Sequence, residues 1–165
     1  LSKLCVEGYL RFYKEQYGLK SIIFRYGNVF GPRQNPNGEA GVVAIFYNRL
    51  LNAQAPIING DGEQTRDYIF VRDITHANLL ALNLEGSDTF NVGTGQETSV
   101  NELTHLILEV AESDIEVQTS KKNNFEQRRS CIDYKKIQDS LNWSPKVSLK
   151  EGLSETFIFF KKNGI

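Results

Sequence analysis

Hydrophobic side chains recur mostly every three or four positions at the start of the chain. The positions concerned are Leu4, Val6, Tyr9, Leu10, Phe12, Tyr13 and Tyr17. Because this spacing places apolar side chains on one face of a helix, it predicts a helix from about Ser2 to Tyr17. Gly18 follows, and glycine commonly ends helices because it adopts a left-handed backbone conformation without steric cost.

Short apolar runs farther along the chain predict strands. Residues 21–26 form a short apolar run with β-branched and aromatic residues, of the length expected for a buried parallel strand. Further strands are predicted at residues 56–59, 66–71, 89–92 and 115–119, and further helices at 42–53, at 73–84 with Asp73 as N-cap, and at 99–112. Ser99 and Glu102 form a Ser-x-x-Glu pattern that predicts a capping box, and Ser148 with Glu151 repeats it. Since strands alternate with helices, the sequence predicts the α/β class.

Composition and charge exclude several classes of protein. Of the 165 residues, 40% are hydrophobic and 24% are charged, which excludes a disordered or low-complexity chain. The net charge of -1 gives no reason to expect nucleic acid or anionic lipid as a partner. The apolar runs fall far short of the ~20 residues needed to cross a bilayer. We therefore expect neither a nucleic-acid partner nor a membrane partner.

The cysteines and the first residue give two further expectations. Cys5 and Cys131 lie far apart and form no C-x-x-C pair, which is typical of reduced thiols in a cytoplasmic protein. The sequence contains no Met and begins at Leu1, so we expect a fragment of a longer chain.

Polar and aromatic residues follow the first predicted strand. Residues 25–33 offer a phenol, an amide and two guanidinium groups at the carboxyl end of that strand, where open α/β sheets bind ligands. Residues 31–41 are rich in Gly, Pro and Asn and predict a long loop, which is usually functional in a compact domain. The alternative is a strand end whose Asn28 closes a turn and whose arginines are solvated. Residue types alone favour neither interpretation.

A second polar segment lies around Arg66, just beyond the turn signal Asp61-Gly62. Its guanidinium either pairs with Asp67 or another carboxylate, or binds a phosphate, and both interpretations stay open. The acidic spacing lacks the other ligands of a calcium loop, so we expect no metal site. His76 and His105 lie in helical patterns without partners at metal-ligand spacing.

Gly93 and Gly95 stand between a predicted strand and a predicted helix, as in a nucleotide-binding loop. The third glycine of that fingerprint is missing, and the helix begins only at Ser99. The pattern therefore predicts a structural turn.

Five motifs, taken in order, resemble one enzyme family. They are Leu1-Ser2-Lys3 opening a helix; Arg25-Tyr26-x-Asn28-x-x-Gly31-Pro32-Arg33; Gly60-Asp61-Gly62-x-Gln64-x-Arg66-Asp67-Tyr68 with Val71 and Asp73; Phe90-Asn91-Val92-Gly93-Thr94-Gly95; and Asp133 followed by Leu141-Asn142-Trp143-x-Pro145. The set resembles the C-terminal half of an extended short-chain dehydrogenase/reductase, in the UDP-glucose 4-epimerase-like branch of the NAD-dependent sugar-nucleotide epimerases and dehydratases. The resemblance covers nearly the whole chain.

The resemblance implies a fold and a division into domains. The chain would hold the C-terminal part of an NAD(P)-binding Rossmann-like sheet and the small α/β substrate-binding domain. Residues 1–33 would end the dinucleotide-binding domain, residues 34–165 would mainly bind the sugar nucleotide, and residues 73–95 would return to the sheet. The family's glycine-rich NAD fingerprint is absent from the chain.

The resemblance also implies a catalytic role for Lys3, which matches the lysine of the family's Tyr-x-x-x-Lys pair. The tyrosine would fall two places before Leu1. A phenol with a pKa of about 10 is a poor base near neutral pH, and a nearby ammonium favours the phenolate. Lys3 would also bind the cofactor NAD, and Tyr26 and Gly27 match family positions beside the nicotinamide.

The substrate-binding positions implied by the resemblance are Asn28, Gly41, Val42, Ile57, Asn59, Arg66 and Glu126. Asn28 and Arg66 match groups that contact the substrate phosphates, and Glu126 occupies a late acidic position that bonds the ribose. Two departures stand out: residues 123–125 lack the family's usual second phosphate-binding arginine, which Arg128 or Arg129 could replace, and Asn59 stands where the family often has an aromatic residue.

The implied activity is interconversion of UDP-hexoses at C4 through a 4-keto intermediate, with NAD, in galactose metabolism. The intact parent would bind a sugar nucleotide and form a homodimer, and the fragment alone would be inactive. A 4,6-dehydratase or a UDP-glucuronate decarboxylase of the same family is the first alternative, and a non-catalytic nucleotide-binding module is the second.

Overall fold

The computed structural model describes residues 1–37, 41–121 and 127–164. The helices are α1 (Ser2–Tyr17), α2 (Val42–Leu51), α3 (Val71–Ala81), α4 (Val100–Ala111), α5 (Lys135–Leu141) and α6 (Leu149–Asn163). The strands are β1 (Ile22–Tyr26), β2 (Asn28–Phe30), β3 (Ile57–Asn59), β4 (Thr65–Arg66), β5 (Tyr68–Phe70), β6 (Asp88–Val92), β7 (Thr98–Ser99) and β8 (Gln118–Ser120). Helices and strands are mixed along the chain, so the predicted α/β class is confirmed.

The strands pair two by two. β1 pairs with β6, β2 with β5 and β3 with β8, all in parallel, while β4 pairs with β7 in antiparallel orientation. The first pair is in register at Phe24 and Phe90, and the second at Asn28 and Tyr68. β6 thus returns beside β1, while the predicted division into domains stays a prediction.

Two apolar cores lie on opposite sides of β5. Tyr68 and Phe70 pack into a core with α2, α4 and α6, whereas Ile69 packs into a second core with β6, α3 and α5. Because successive side chains of a strand point to opposite faces, this three-residue strand contributes side chains to both cores. This fixes Tyr68 beneath the surface that carries the candidate site.

The first helix contributes nothing to either core. None of its residues is buried, and Leu4, Tyr9 and Tyr17 are 65%, 67% and 73% exposed. It ends as predicted at Gly18, whose φ is 68°. The Glu7 carboxylate pairs with Arg25 of β1, and this guanidinium lowers the pKa of Glu7.

Local capping signals were predicted correctly where the partner is nearby. The side chain of Ser99 accepts a hydrogen bond from the Glu102 N–H, and the Glu102 side chain accepts from the Ser99 N–H, which confirms the capping box of α4. Ser148 is the N-cap of α6 and accepts from the Glu151 N–H at 3.2 Å.

The prediction that Asp73 caps its helix is wrong. α3 begins at Val71 with Phe70 in the N-cap position and ends at Ala81. The buried Asp73 carboxylate accepts from the backbone N–H groups of Lys146 and Val147, both at 3.1 Å. The capping rule considers only the chain that follows, whereas these donors lie in a distant loop.

Several strand bounds also differ from those predicted. The strand predicted at 66–71 is β4 and β5, broken at Asp67, and Val71 already belongs to α3. The strand predicted at 115–119 lies later, at β8. No pattern predicted β2, β7 or α5, since two- and three-residue strands and a seven-residue helix carry too few positions to show a period.

In the described ranges, no helix combines the length and the apolar character that crossing a membrane requires. Cys5 and Cys131 are both free and exposed.

Candidate functional site

Two adjoining grooves lie between β2, the start of α2 and strands β3 to β5. Both are lined by Asn28, Gly41, Val42 and Tyr68. These shared residues come from three separate parts of the sequence, and the fold brings them together at the carboxyl end of β1. The grooves therefore form one continuous candidate site.

The first groove, of about 380 Å³, follows β2 from Tyr26 to Phe30 and is closed by Gln34 and Val43. The Asn78 amide Nδ2 donates to the Tyr26 hydroxyl at 3.0 Å and fixes the partly exposed phenol. The Gln34 amide Nε2 donates to the backbone oxygen of Val29 at 3.0 Å. The lining is mainly apolar and aromatic, with amide groups at its ends.

The second groove, of about 410 Å³, has one apolar wall and one polar end. Its apolar wall consists of Ile45, Phe46, Ile57 and Ile58. Arg66 is the charged side chain among the described residues that line either groove. Its Nη1 donates to the backbone oxygen of Thr65 at 2.8 Å.

The N-terminus of α2 opens into both grooves through Gly41 and Val42. Gly41 is the N-cap with φ 136°, and within the described chain no side chain caps this helix end. The first N–H groups of a helix have no intrahelical acceptor and carry a positive partial charge. Together with Arg66, this end of the site favours an anion.

Asp67 lies behind the site, in the break between β4 and β5, and is 1% exposed. Its backbone oxygen accepts from the Asn28 N–H at 2.6 Å. Its carboxylate accepts from the N–H and hydroxyl of Thr94 at 2.8 and 2.7 Å, from the Gly95 N–H at 3.0 Å and from the Ile132 N–H at 3.2 Å. The predicted structural turn at residues 93–95 is thus confirmed, and its amides hold a protein carboxylate.

Eight of the site residues singled out from the sequence line these grooves. They are Tyr26, Gly27, Asn28, Gly41, Val42, Ile57, Asn59 and Arg66. Lys3 lies exposed in the first turn of α1 and lines neither groove. Glu126 lies outside the described residues. The roles assigned to all ten stay predictions.

Three other groove residues were given no role from the sequence, although two of them, Gln64 and Tyr68, belong to the third motif. Tyr68 lines both grooves, Gln34 the first and Gln64 the second. Tyr68 follows Arg66 by two positions, and this period places both side chains on one face, which is the signal that could have identified it. Gln64 was part of the third motif, whereas Gln34 gave no comparable signal, because its position depends on the tertiary fold.

Both arginines considered as a second phosphate ligand are engaged in ion pairs. Arg128 binds the Asp61 carboxylate at 2.7 Å, and Arg129 binds Glu97 through Nε at 2.8 Å and through Nη2. The Arg129 guanidinium, helped by the Thr65 hydroxyl, lowers the pKa of Glu97 to about 2. These pairs hold the segment around residue 129 against β4.

A metal ion has no ready ligand set in the part of the chain that the structure describes. No group of three or more His, Cys, Asp and Glu side chains lies close enough together there.

Comparison with known proteins places the chain among sugar-nucleotide enzymes. The family model described as GDP-mannose 4,6 dehydratase matches residues 1–156. A UDP-glucose 4-epimerase from Mycolicibacterium smegmatis is 41% identical over 160 residues, which is 96% of this chain and 51% of that protein. Other relatives are dehydratases and decarboxylases of the same family.

Solved structures give the same result. The UDP-glucose 4-epimerase of Thermotoga maritima, solved with UDP-glucose, matches with a TM-score of 0.95 and 46% identity over 99% of this chain and 53% of its own. The Thermus thermophilus UDP-glucose 4-epimerase, solved with NAD, matches with a TM-score of 0.90 and 38% identity over the same shares. The chain spans about half the length of the relatives it matches.

Proposed function

Because this chain belongs to the GDP-mannose 4,6 dehydratase family of sugar-nucleotide epimerases and dehydratases, we propose that it is the C-terminal, sugar-nucleotide-binding portion of a UDP-glucose 4-epimerase-like enzyme. The observation that supports this most directly is the pair of grooves shared by Asn28, Gly41, Val42 and Tyr68. The proposed reaction interconverts UDP-hexoses at C4 through a 4-keto intermediate.

The polar end of the second groove suits the diphosphate. Arg66 offers a guanidinium fork, which binds phosphate oxygens through two parallel hydrogen bonds. The uncapped N-terminus of α2 at Gly41 and Val42 adds backbone N–H donors and a favourable dipole. Asn28 adds an amide between the two grooves. The diphosphate therefore lies, in this proposal, where the grooves meet.

The apolar wall of the second groove suits the base and ribose. Ile45, Phe46 and Ile57 contribute apolar side chains to this wall, and Asn59 ends the strand beside them. The Asn59 Oδ1 accepts from the Ser120 hydroxyl at 2.6 Å, so its amide is held in place. The hexose then extends into the first groove, toward Tyr26 and Gly27.

In this proposal, a dinucleotide contacts the chain along one edge of the first groove. Tyr26 and Gly27 border the first groove, where they could contact a nicotinamide ring. The Gly93–Gly95 turn, by contrast, donates its Thr94 and Gly95 N–H groups to the Asp67 carboxylate. NAD, when bound, supplies the hydride acceptor and donor of the reaction. Most of its binding residues lie, in this proposal, outside this chain.

Lys3 acts, in this proposal, on a tyrosine four residues before it that the chain does not contain. Its ammonium stabilises the phenolate that takes the proton from the substrate 4-hydroxyl. The 165 residues contain neither that tyrosine nor the NAD fingerprint. In this proposal the chain alone therefore binds the nucleotide but does not convert the sugar.

Nucleotide binding is tested on the isotopically labelled chain by NMR titration with UDP-glucose, UDP, uridine and pyrophosphate. UDP and UDP-glucose should shift the backbone amides of Asn28, Val42 and Arg66, and uridine alone should shift the apolar wall more weakly. Shifts confined to α1, or no saturable shift with any of the four ligands, would contradict the proposal.

The reaction is tested on the full-length protein that contains this chain, by analysing its products from UDP-galactose. Formation of UDP-glucose supports the epimerase. A 4-keto-6-deoxy product from a nucleotide hexose would identify a dehydratase, and a pentose from UDP-glucuronate a decarboxylase. The isolated chain should give none of these products, and UDP-galactose turnover by it would overturn its proposed inactivity.

A further inference from the structure

Asp67 is buried behind the grooves and touches neither of them, yet the residues on both sides of it line the site. Arg66 and Tyr68 point into the second groove, and the side chain between them points the opposite way, as the alternation of an extended chain requires. The direction of this one carboxylate therefore sets the direction of its two neighbours.

The Asp67 carboxylate joins three chain segments. It lies in the break between β4 and β5, and its four donors come from Thr94 and Gly95 after β6 and from Ile132 before α5. All four donors are uncharged, being three backbone N–H groups and one hydroxyl. An ionised carboxylate accepts at both oxygens, so it satisfies all four at once.

Two glycines make room for this arrangement. A Cβ on Gly93 would lie 2.6 Å from Asp67 Oδ2, and a Cβ on Gly27 would lie 2.8 Å from the Asp67 backbone oxygen. Both distances are shorter than any van der Waals contact. The absence of a side chain at Gly27 and Gly93 thus makes room for Asp67.

The backbone of Asp67 reaches the site directly. Its oxygen accepts from the Asn28 N–H at 2.6 Å, where the chain passes from β1 into β2. Asn28 lines both grooves. One residue is therefore connected to Asn28 through its backbone oxygen and to Arg66 and Tyr68 through the chain.

We propose that Asp67 is the positioning residue of the nucleotide site: its carboxylate, held by the Gly93–Gly95 turn, fixes Asn28 and Arg66 in the geometry that binds the diphosphate. The inference rests on the proposed function of the grooves. In this proposal the Gly93–Gly95 turn supports ligand binding indirectly, by holding Asp67, and does not itself contact the ligand.

The substitution Asp67→Asn tests this positioning role most directly. Each Asp67 oxygen faces at least two donors, so the new amide NH₂ must face donors in either orientation and break their hydrogen bonds. Asp73→Asn is the matched control, because Asp73 is an equally buried carboxylate that accepts two backbone N–H groups and does not line the grooves.

The experiment makes two measurements: the affinity for UDP, by NMR titration, and the hydrogen-exchange rate of the Asn28 N–H. Urea unfolding at the same temperature first establishes that each variant is folded. We expect Asp67→Asn to weaken UDP binding about tenfold and to speed Asn28 exchange, as expected when a charge-assisted bond is lost. Asp73→Asn should lower stability but change neither quantity. Equal UDP affinity in wild type and Asp67→Asn, or equal weakening in both variants, would overturn the proposal.

The two proposals fail in distinguishable ways. If wild type binds no UDP, the nucleotide site is wrong, and Asn28 exchange alone decides the positioning role: unchanged protection in Asp67→Asn refutes it, and selective loss supports it. If Asp67→Asn does not fold, Thr94→Val removes one donor and keeps the carboxylate. It should weaken UDP binding about threefold, and Thr94→Ser, which keeps the hydroxyl, should restore it; no difference between the two refutes the role.

Discussion

The indole Nε1 of Trp143 donates a hydrogen bond to the backbone oxygen of Asp73 at 3.1 Å, and both residues are buried. The Asp73 carboxylate meanwhile accepts the N–H groups of Lys146 and Val147. The first turn of α3 and the loop between α5 and α6 are thereby joined twice. This connection, rather than a helix cap, explains an aspartate at this position.

Asp73→Ala should therefore lower the free energy of unfolding by about 2 kcal/mol, because two partly buried backbone donors lose a charged acceptor. Urea unfolding followed by Trp143 fluorescence measures the effect. The control is Asp139→Ala, which removes an exposed carboxylate paired with Lys135 and should change stability by less than about 0.5 kcal/mol. Equal losses in the two variants would contradict this account of Asp73.

Arg66→Ala should weaken UDP binding by roughly 1 to 3 kcal/mol, since a charge-assisted bond to the diphosphate is lost. Isothermal titration calorimetry with UDP measures the change. Arg72→Ala is the matched control, because Arg72 carries the same charge on α3 and pairs with Glu155 away from the grooves. An unchanged affinity for UDP in Arg66→Ala would show that Arg66 does not bind the diphosphate.

The Glu97–Arg129 ion pair should make the free energy of unfolding fall at acid pH. Hydrogen bonds from Arg129 and Thr65 lower the pKa of Glu97 from its ordinary value near 4.5 to about 2. A carboxyl whose folded pKa is lowered stabilises the fold above its unfolded pKa, and that stabilisation is lost as the pH falls through the folded pKa. The loss should therefore occur between about pH 4.5 and pH 2.

An NMR titration of the Glu97 carboxyl carbon tests this directly. Arg129→Ala should raise the pKa of Glu97 toward its ordinary value. Arg128→Ala should leave the pKa of Glu97 unchanged, because Arg128 pairs with Asp61. A pKa of Glu97 that is the same in all three proteins would show that Arg129 is not the cause.

The sequence predicted those elements whose signals are local. Helix α1, with its apolar period and Gly18, and helix α4, with its Ser99 capping box, are complete within their own segments. The break at Asp67 was not predictable, because its cause is a set of donors 27 to 65 residues away. Asp73 was misassigned for the same reason, since its donors lie 73 and 74 residues farther on.

The same division holds for the candidate site. Asn28 and Arg66 were singled out because motifs carry their residue types, and the fold brings both to one surface. Tyr68 stands in the same motif as Arg66 but was given no role, although it lines both grooves. Its two-residue spacing from Arg66 could have identified it, whereas its burial depends on two cores meeting at β5.

Two glycines offer a contrast that tests the shape of the site. Gly41 has φ 136°, and a Cβ there would lie 2.9 Å from Gln34 Cδ. Gly8 lies exposed within α1, and its Cβ would meet nothing within 4 Å. Gly41→Ala should therefore lower the free energy of unfolding by about 1 to 3 kcal/mol, because the backbone conformation is strained for alanine.

Gly8→Ala should instead raise the free energy of unfolding by about 0.5 to 1 kcal/mol, since alanine costs less backbone entropy in a helix. Gly41→Ala should also weaken UDP binding, because the new methyl group displaces Gln34 and the N-terminus of α2 that both grooves share. Urea unfolding and UDP titration of the two variants separate these effects. A Gly41→Ala protein as stable as wild type would show that this helix start tolerates a side chain, and the close approach of Gln34 would then not define the groove.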